Sequence, residues 1–183
     1  METRKYKLTE ETIAVCDRIL YRIEALKDFN DVKQGDKGGF IENEKNLSQS
    51  DNCWVYDDAE VFGEAKIRDN ARVYHNAKVC GYARVCSDAE VFGDTWVFDN
   101  VEVFGKAKIR DKAMVYDNAI VYGNAEVYDS AKVYGDTKVY GNAVVFNNAQ
   151  IYGLTKVYGN ARVYGNAKIF GDAIVGGNRE VCG

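Results

Sequence analysis

From Val55 to Val181 an aliphatic residue returns at every sixth position (Val55, Val61, Ile67, Val73, Val79 and onward), and the slot holds only Val or Ile. Two residues ahead of each stands a second restricted slot, mostly Ala (Ala59, Ala65, Ala71, Ala77), with Thr95, Val101, Thr137 and Thr155 as larger variants. A spacing of two puts the Ala and Val slots on one side of a strand. The flanking residues, as in Lys66-Ile67-Arg68 or Arg162-Val163-Tyr164, fall on the other. After each short strand comes a pair drawn mainly from Gly, Asp and Asn (Gly123-Asn124, Asp129-Ser130, Gly159-Asn160), residues that accept left-handed backbone at low cost. One strand and one corner per six residues predict an all-β, parallel solenoid with Val and Ala inside and charge plus Tyr outside. With three hexads to a coil, the stretch from Val55 fits about seven coils, a prism on the order of 35 Å long at ~4.8 Å per stacked strand.

Residues 61–76 (VFGEAKIRDNARVYHN) reappear at 103–118 (VFGKAKIRDKAMVYDN), a step of whole hexads but not of whole coils. The hexad is thus the duplicated unit, and the copy is expected on a different face, which argues against a chain built around one fixed pocket. Every third hexad shares a face. One outward column reads Arg72, Glu90, Lys108, Glu126, whose alternating sign suits a cross-strand ladder. A second reads Lys66, Arg84, Glu102, Ile120, Lys138, Lys156, Ile174, more basic and partly apolar. The third gathers Trp96, Phe98, Met114, Tyr116 and Tyr134. Aromatic columns have two readings: stacking that stabilises the sheet, or an exposed surface for a partner or sister subunit. These five residues are the candidate interface on the third face.

The first 50 residues lack the hexad, and the division expected is a capping segment over 1–50 and the solenoid over 51–183. Thr12–Val15 and Ile19–Leu26, separated by Cys16-Asp17-Arg18, are consistent with a hairpin. Ile13, Cys16, Leu20 and Ile23 also fit helical spacing, and strands are the favoured reading. A solenoid end exposes unpaired backbone and core, so a cap belongs there. At the other end the hexad runs straight to Val181-Cys182-Gly183, and Arg179 stands in a small-residue slot, either as a gatekeeper charge or in a frayed last coil. That end reads as a stacking surface for a homodimer, with Val175, Val181 and Cys182 as its candidate contacts.

Composition narrows the function classes. The chain has 183 residues and a net charge of −4, shared between both parts, without a basic nucleic-acid footprint; nucleic acid is not an expected partner. No apolar stretch reaches membrane-spanning length and the N-terminus is no signal peptide, so a cytoplasmic protein without membrane contact is expected. Five cysteines (Cys16, Cys53, Cys80, Cys86, Cys182) lack metal-ligand spacing and read as reduced thiols. The single histidine, His75, occupies a corner slot otherwise filled by Gly, Asp, Asn or Ser. No catalytic residues, cofactor or metal are assigned.

The hexad resembles the hexapeptide repeat of left-handed parallel β-helices, and the left hand is implied by that resemblance alone, since the general crossover rule gives the right hand. The N-terminal run KYKL at Lys5–Leu8 and RIEALKDFNDVKQGDKGGFIENEKNLSQSDNCWVYDD at Arg22–Asp58 resembles the YdcK-like β-solenoid family, with Phe40 where a GGW version would place Trp. The resemblance implies bacterial and phage proteins variously labelled putative transferases or polymer-forming, with no settled activity. Three functions follow as expectations. The first is a non-enzymatic rigid rod that self-associates or presents flat faces to a host or bacterial protein. The second is a phage- or mobile-element-encoded inhibitor of a host defence protein. The third is a hexapeptide-repeat acyltransferase, which would look to His75 as a general base and form a trimer.

Overall fold

The computed structural model describes residues 4–183, all of them β-strand, turn or irregular backbone. Strand β1 (Tyr6–Val15) pairs antiparallel with β2 (Arg18–Ala25). They are joined by Cys16 and Asp17, both at positive φ (46° and 61°), the two-residue turn whose twist matches a hairpin. The strand reading of this segment therefore holds over the helical one. Strand β3 (Lys37–Ile41) is antiparallel to β2 on one side and parallel to Glu60–Val61 on the other. It is both the last strand of the cap and the first rung of the solenoid.

From β3 onward the chain winds through three parallel sheets. One contains β3 and continues into the hairpin; we call it the cap face. The second runs from Trp54–Val55 through Arg72–His75 to Glu180–Cys182 (the Val55 face), and the third from Lys66–Ile67 to Ile174–Val175 (the Ile67 face). The Val55 face has eight strands, so there are eight coils, one more than the hexad count from Val55 gives. The extra coil is Ile41, Leu47 and Val55, with Leu47 bridged to Ile67. Parallel stacking thus begins inside the segment assigned by sequence to the cap.

The core follows the two restricted slots. Val55, Val61, Ile67 and their successors to Val163 are fully buried, as are the Ala slots from Ala59 to Ala161. Thr137 and Thr155 fit among them because each hydroxyl donates to the carbonyl three residues back, Tyr134 and Tyr152, at 2.7 Å. Thr95 has the same burial and no partner.

The corners are held by ladders that run along the rod. Asp carboxylates at positive φ accept the backbone N–H one coil on: Asp57 from His75 (2.9 Å), Asp69 from Ser87 (2.8 Å), Asp117 from Gly135 (3.0 Å). In the neighbouring corner slot each Asn amide donates to the next side chain, as in Asn124→Asn142→Asn160→Asn178 at 2.9–3.0 Å. Some ladders end on an acceptor-only carboxylate, as in Asn100→Asn118→Asp136. The duplicated segment also lands as expected, Val61 on the cap face and Val103 on the Ile67 face.

Candidate interaction surface

Among the contacts that fasten the cap to the solenoid, two are built on cations. The first coil is two residues longer than the later ones, and the excess loosens the corner between Leu47 and Trp54. Lys5 enters the bay this creates. Its ammonium is buried, donates to the carbonyls of Asp51 (2.7 Å) and Cys53 (2.9 Å), and lies 3.6 Å from Cys53 Sγ and 5.2 Å from the Phe29 ring centroid. No coil precedes Trp54 at that corner, so the amine supplies donors that a preceding rung would otherwise provide. Burial pulls the Lys5 amine below the usual lysine range, against the opposing pull of Cys53 and Asp51. At the second point, Arg22 lies 4.0 Å over the Phe40 ring and donates to Glu11 (2.6 Å), to the carbonyls of Gly38 and Asp57 (2.9 Å each) and to Asp58 (3.0 Å). The adjacent glycines serve close approach: a Cβ on Gly38 would meet the Val55 carbonyl at 2.5 Å and the Trp54 ring at 2.7 Å.

The aromatic columns are stacked rings. On the cap face Phe98, Tyr116, Tyr134, Tyr152 and Phe170 stand 4.8–5.4 Å apart, and on the Ile67 face Phe104, Tyr122, Tyr140 and Tyr158 follow at 4.9–5.2 Å. This is the strand spacing, so neighbouring rings cover each other's faces and leave mainly edges to solvent. On the Val55 face Arg110 interrupts the column and places its guanidinium 3.7 Å over Tyr128.

Trp96, Phe98, Met114, Tyr116 and Tyr134 come together on the cap face, with Trp96 directly opposite Met114 in register. Trp96 is exposed, and the Lys78 ammonium lies 5.4 Å over its ring while pairing with Glu60. Val175, Val181 and Cys182 do not join them. Val175 is buried on the Ile67 face, whereas Val181 and Cys182 lie on the Val55 face, the first half-buried and the second exposed. Arg179, in the small-residue slot, is exposed.

The exposed large apolar side chains of the solenoid are Tyr82, Trp96, Leu154, Phe170 and Ile174, from 39 to 66% accessible. All five lie on the cap face, on the Ile67 face or at the edge between them, a clustering the sequence reading missed apart from Trp96. The signal was there: Tyr82 and Leu154 occupy corner slots that elsewhere hold only polar or charged residues, and Ile174 a slot shared with Lys and Arg.

His75 sits at a corner with φ of 60°, exposed, its ring edge-on to Tyr74 at 5.0 Å. The cysteines are free: Cys16 and Cys182 exposed, Cys53 buried, Cys80 and Cys86 half-buried on adjacent faces. Burial raises the thiols of Cys53, Cys80 and Cys86 above their usual range. Among the described residues no three His, Cys, Asp or Glu side chains converge on a metal-sized site, and no helix is long and apolar enough to cross a membrane.

Fold and surface together define a β-solenoid of hexapeptide repeats closed at one end by a β cap. Within that class, a family model described as the YdcK β-solenoid repeat matches residues 156–168 of the chain. Over 62 residues it is 44% identical to a protein of Escherichia coli (strain K12) named "Uncharacterized acetyltransferase YdcK". The match covers 30% of this chain and 19% of that protein, so the two align over a small part of the relative's length.

Proposed function

We propose that this protein acts by contact, as a rigid non-enzymatic rod that binds a second copy of itself or a protein partner. The observation that carries the reading is the clustering of Tyr82, Trp96, Leu154, Phe170 and Ile174 around one edge of the prism. In most of these slots other coils use polar or charged residues without loss of the fold, as Lys78 and Lys132 do beside Trp96 and Met114. Large apolar groups held outward on stiff, flat sheets have the character of a recognition surface. Light scattering over a concentration series tests it. The wild type is expected to form a discrete oligomer, weakened by Trp96→Lys with Met114→Lys if the cap face is the contact. Truncation before Val175 weakens it instead if the C-terminal coil is. A strict monomer at every concentration removes self-association and leaves a separate protein partner.

A second reading, a hexapeptide-repeat acetyltransferase, is favoured by the name of the E. coli relative. It requires acetyl-CoA binding by calorimetry and loss of turnover in His75→Ala. Turnover that survives this substitution excludes His75 as the base.

A further inference from the structure

We propose that the cap face beyond the hairpin is a homodimer interface, on which a second copy of the chain packs face to face and antiparallel about a two-fold axis through Tyr134. This rests on the contact reading above and names the partner, the face and the register.

The first part of this face already has a cover. Ile13, Val15 and Leu20 of the hairpin pack on Phe40, Phe62 and Cys80, and Leu20, Phe40 and Phe62 are buried there. Phe62 and Cys80 head the outward column that Phe98 continues, because Val61, Val79 and Val97 are in register. From Phe98 to Phe170 the column carries on without that cover, and Trp96 and Phe170, at the two ends of the stretch, are 39% and 59% accessible. The outward side chains of its five strands, Trp96–Val97 to Lys168–Ile169, include two lysines, Lys132 and Lys168, and no carboxylate. An apolar, nearly uncharged strip thus continues a surface that the hairpin already uses for apolar packing.

Two flat faces can pair about a two-fold axis in two ways. Parallel pairing sets the two hairpins against each other at one end and brings acid to acid along the rims: Asp94 to Asp99, Asp111 to Asp117, Asp129 to Asp136. Antiparallel pairing puts the hairpins at opposite ends and reverses the columns. The ring column reads Phe, Tyr, Tyr, Tyr, Phe, so Phe98 meets Phe170, Tyr116 meets Tyr152 and Tyr134 meets its own copy. In the adjoining column Trp96 meets Lys168, a cation against an aromatic ring, and Met114 meets Gln150. The rim carboxylates now meet uncharged slots: Asp94 faces Asn166, Asp111 faces Asn147, Asp99 and Asp117 face Gly171 and Gly153, and Asp172 faces Asn100. At the axis Lys132 and Asp129 stand side by side, so each lysine can pair with the aspartate of the other copy. Asp136 alone meets its like, at an exposed rim where Asn118 already donates to it at 2.8 Å. Five strands, each about five residues wide, give a footprint of ~24 by ~15 Å. That is small for an interface, so the dimer should be weak and dissociate as concentration falls through the micromolar range.

The test is site-directed cross-linking of the full chain with a short bis-maleimide, beside light scattering of the same samples. The background carries Cys16→Ser, Cys80→Ala, Cys86→Ser and Cys182→Ser and keeps the buried Cys53. New cysteines enter ring slots, which hold Cys80, Cys86 and Cys182 in the native chain, so the fold accepts them. Tyr134→Cys, on the axis, is expected to give a covalent dimer. Phe98→Cys and Phe170→Cys should each stay monomeric on gels, since equivalent positions stand four strand spacings apart, ~19 Å. The two mixed, one of them tagged, should cross-link to each other. In the native chain Lys132→Glu gathers four acids at the axis and should weaken the dimer about tenfold or more, while Glu60 shows that the slot accepts Glu. Lys138→Glu on the Ile67 face should stay within about twofold of wild type. Self-linking of Phe98→Cys, which parallel pairing would give, overturns the proposal. So does a dimer seen by scattering that none of the three cysteines captures, and either result leaves the contact reading standing in another geometry. A strict monomer overturns the proposal as well and leaves the contact reading to a separate protein partner.

Discussion

Lys5→Met removes the ammonium that plugs the first coil while keeping most of the side chain's length and its packing between Phe29 and Tyr6. Two charged hydrogen bonds disappear, at 2.7 and 2.9 Å, and the carbonyls of Asp51 and Cys53 are left buried beside a thioether that cannot donate. Hydrogen bonds from a charged group contribute about 1.5–3 kcal/mol each, and an orphaned carbonyl costs about 1–3 kcal/mol. Against this, the variant no longer buries a charge, a relief whose sign is seen in the lowered Lys5 proton affinity. The net expectation is a loss of about 2–3 kcal/mol. Because coils contact only their neighbours, that loss should be local. Hydrogen-exchange mass spectrometry is the assay: amides of β1–β3 and Trp54 should exchange faster, while those of residues 120–165 keep wild-type protection. A variant at least as protected as wild type around Trp54 would refute the reasoning, since desolvation of the amine would then outweigh the bonds it makes.

Thr95→Val should raise stability by about 1 kcal/mol, because it removes a buried hydroxyl that has no partner among the described residues and Val101 shows that the slot accepts Val; thermal melting reads it, and a lower midpoint counts against it. Gly38→Ala should cost about 3 kcal/mol and detach the cap, since its Cβ would run into the Val55 carbonyl; limited proteolysis of the N-terminal segment is the check. Asn142→Asp should lower the melting point by breaking the donor to Asn160 in mid-ladder, whereas Asp136 at a ladder's end is tolerated; equal stability would show the ladders to be decorative. Burial, with the nearby Asp99 and Cys16, pushes the Cys80 thiol up to about 11. A folded pKa above the unfolded one, ~8.5, means stability present below that value and lost as pH rises towards 11. Melting curves between pH 8 and 11 should therefore fall more steeply for wild type than for Cys80→Ala.

The hexad made most of the architecture legible because each of its slots has one physical duty. Val and Ala at a spacing of two define the inside, Gly, Asp and Asn define the corner, and a coil of three hexads sets every outward column in its observed register. The start of the solenoid was hidden for an equally physical reason. Ile41 and Leu47 are six apart, but two extra residues precede Val55, so the period breaks where the first coil opens to admit Lys5. Lys5 and Arg22 act on residues that are close only after folding, and nothing in their local sequence marks them. The outward columns were readable in advance, Lys66 next to Arg84 included. Whether each charge finds a partner across the corner depends on the folded geometry: Arg72 reaches Asp31 in the cap loop, whereas Lys66 forms no ion pair among the described residues.

Departures from the repeat are the most informative positions in a chain of this kind, because the fold already works without them. On the Val55 face they are absorbed by the structure. Arg110 replaces a ring and stacks on Tyr128 while pairing with Glu126, and Asp31 reaches down to accept from Tyr56 at 2.8 Å. That face is neutralised, tied to the cap, and has no large apolar side chain left exposed among the described residues. Around the opposite edge apolar departures stay exposed: Trp96 in a slot that also holds Lys, Tyr82 and Leu154 at corners, and Ile174 beyond Lys156. A sequence free to spread such residues over three equivalent faces has gathered them around one edge. The asymmetry has no use inside the solenoid, whose coils are held alike on all sides, and it becomes intelligible once that edge meets another molecule.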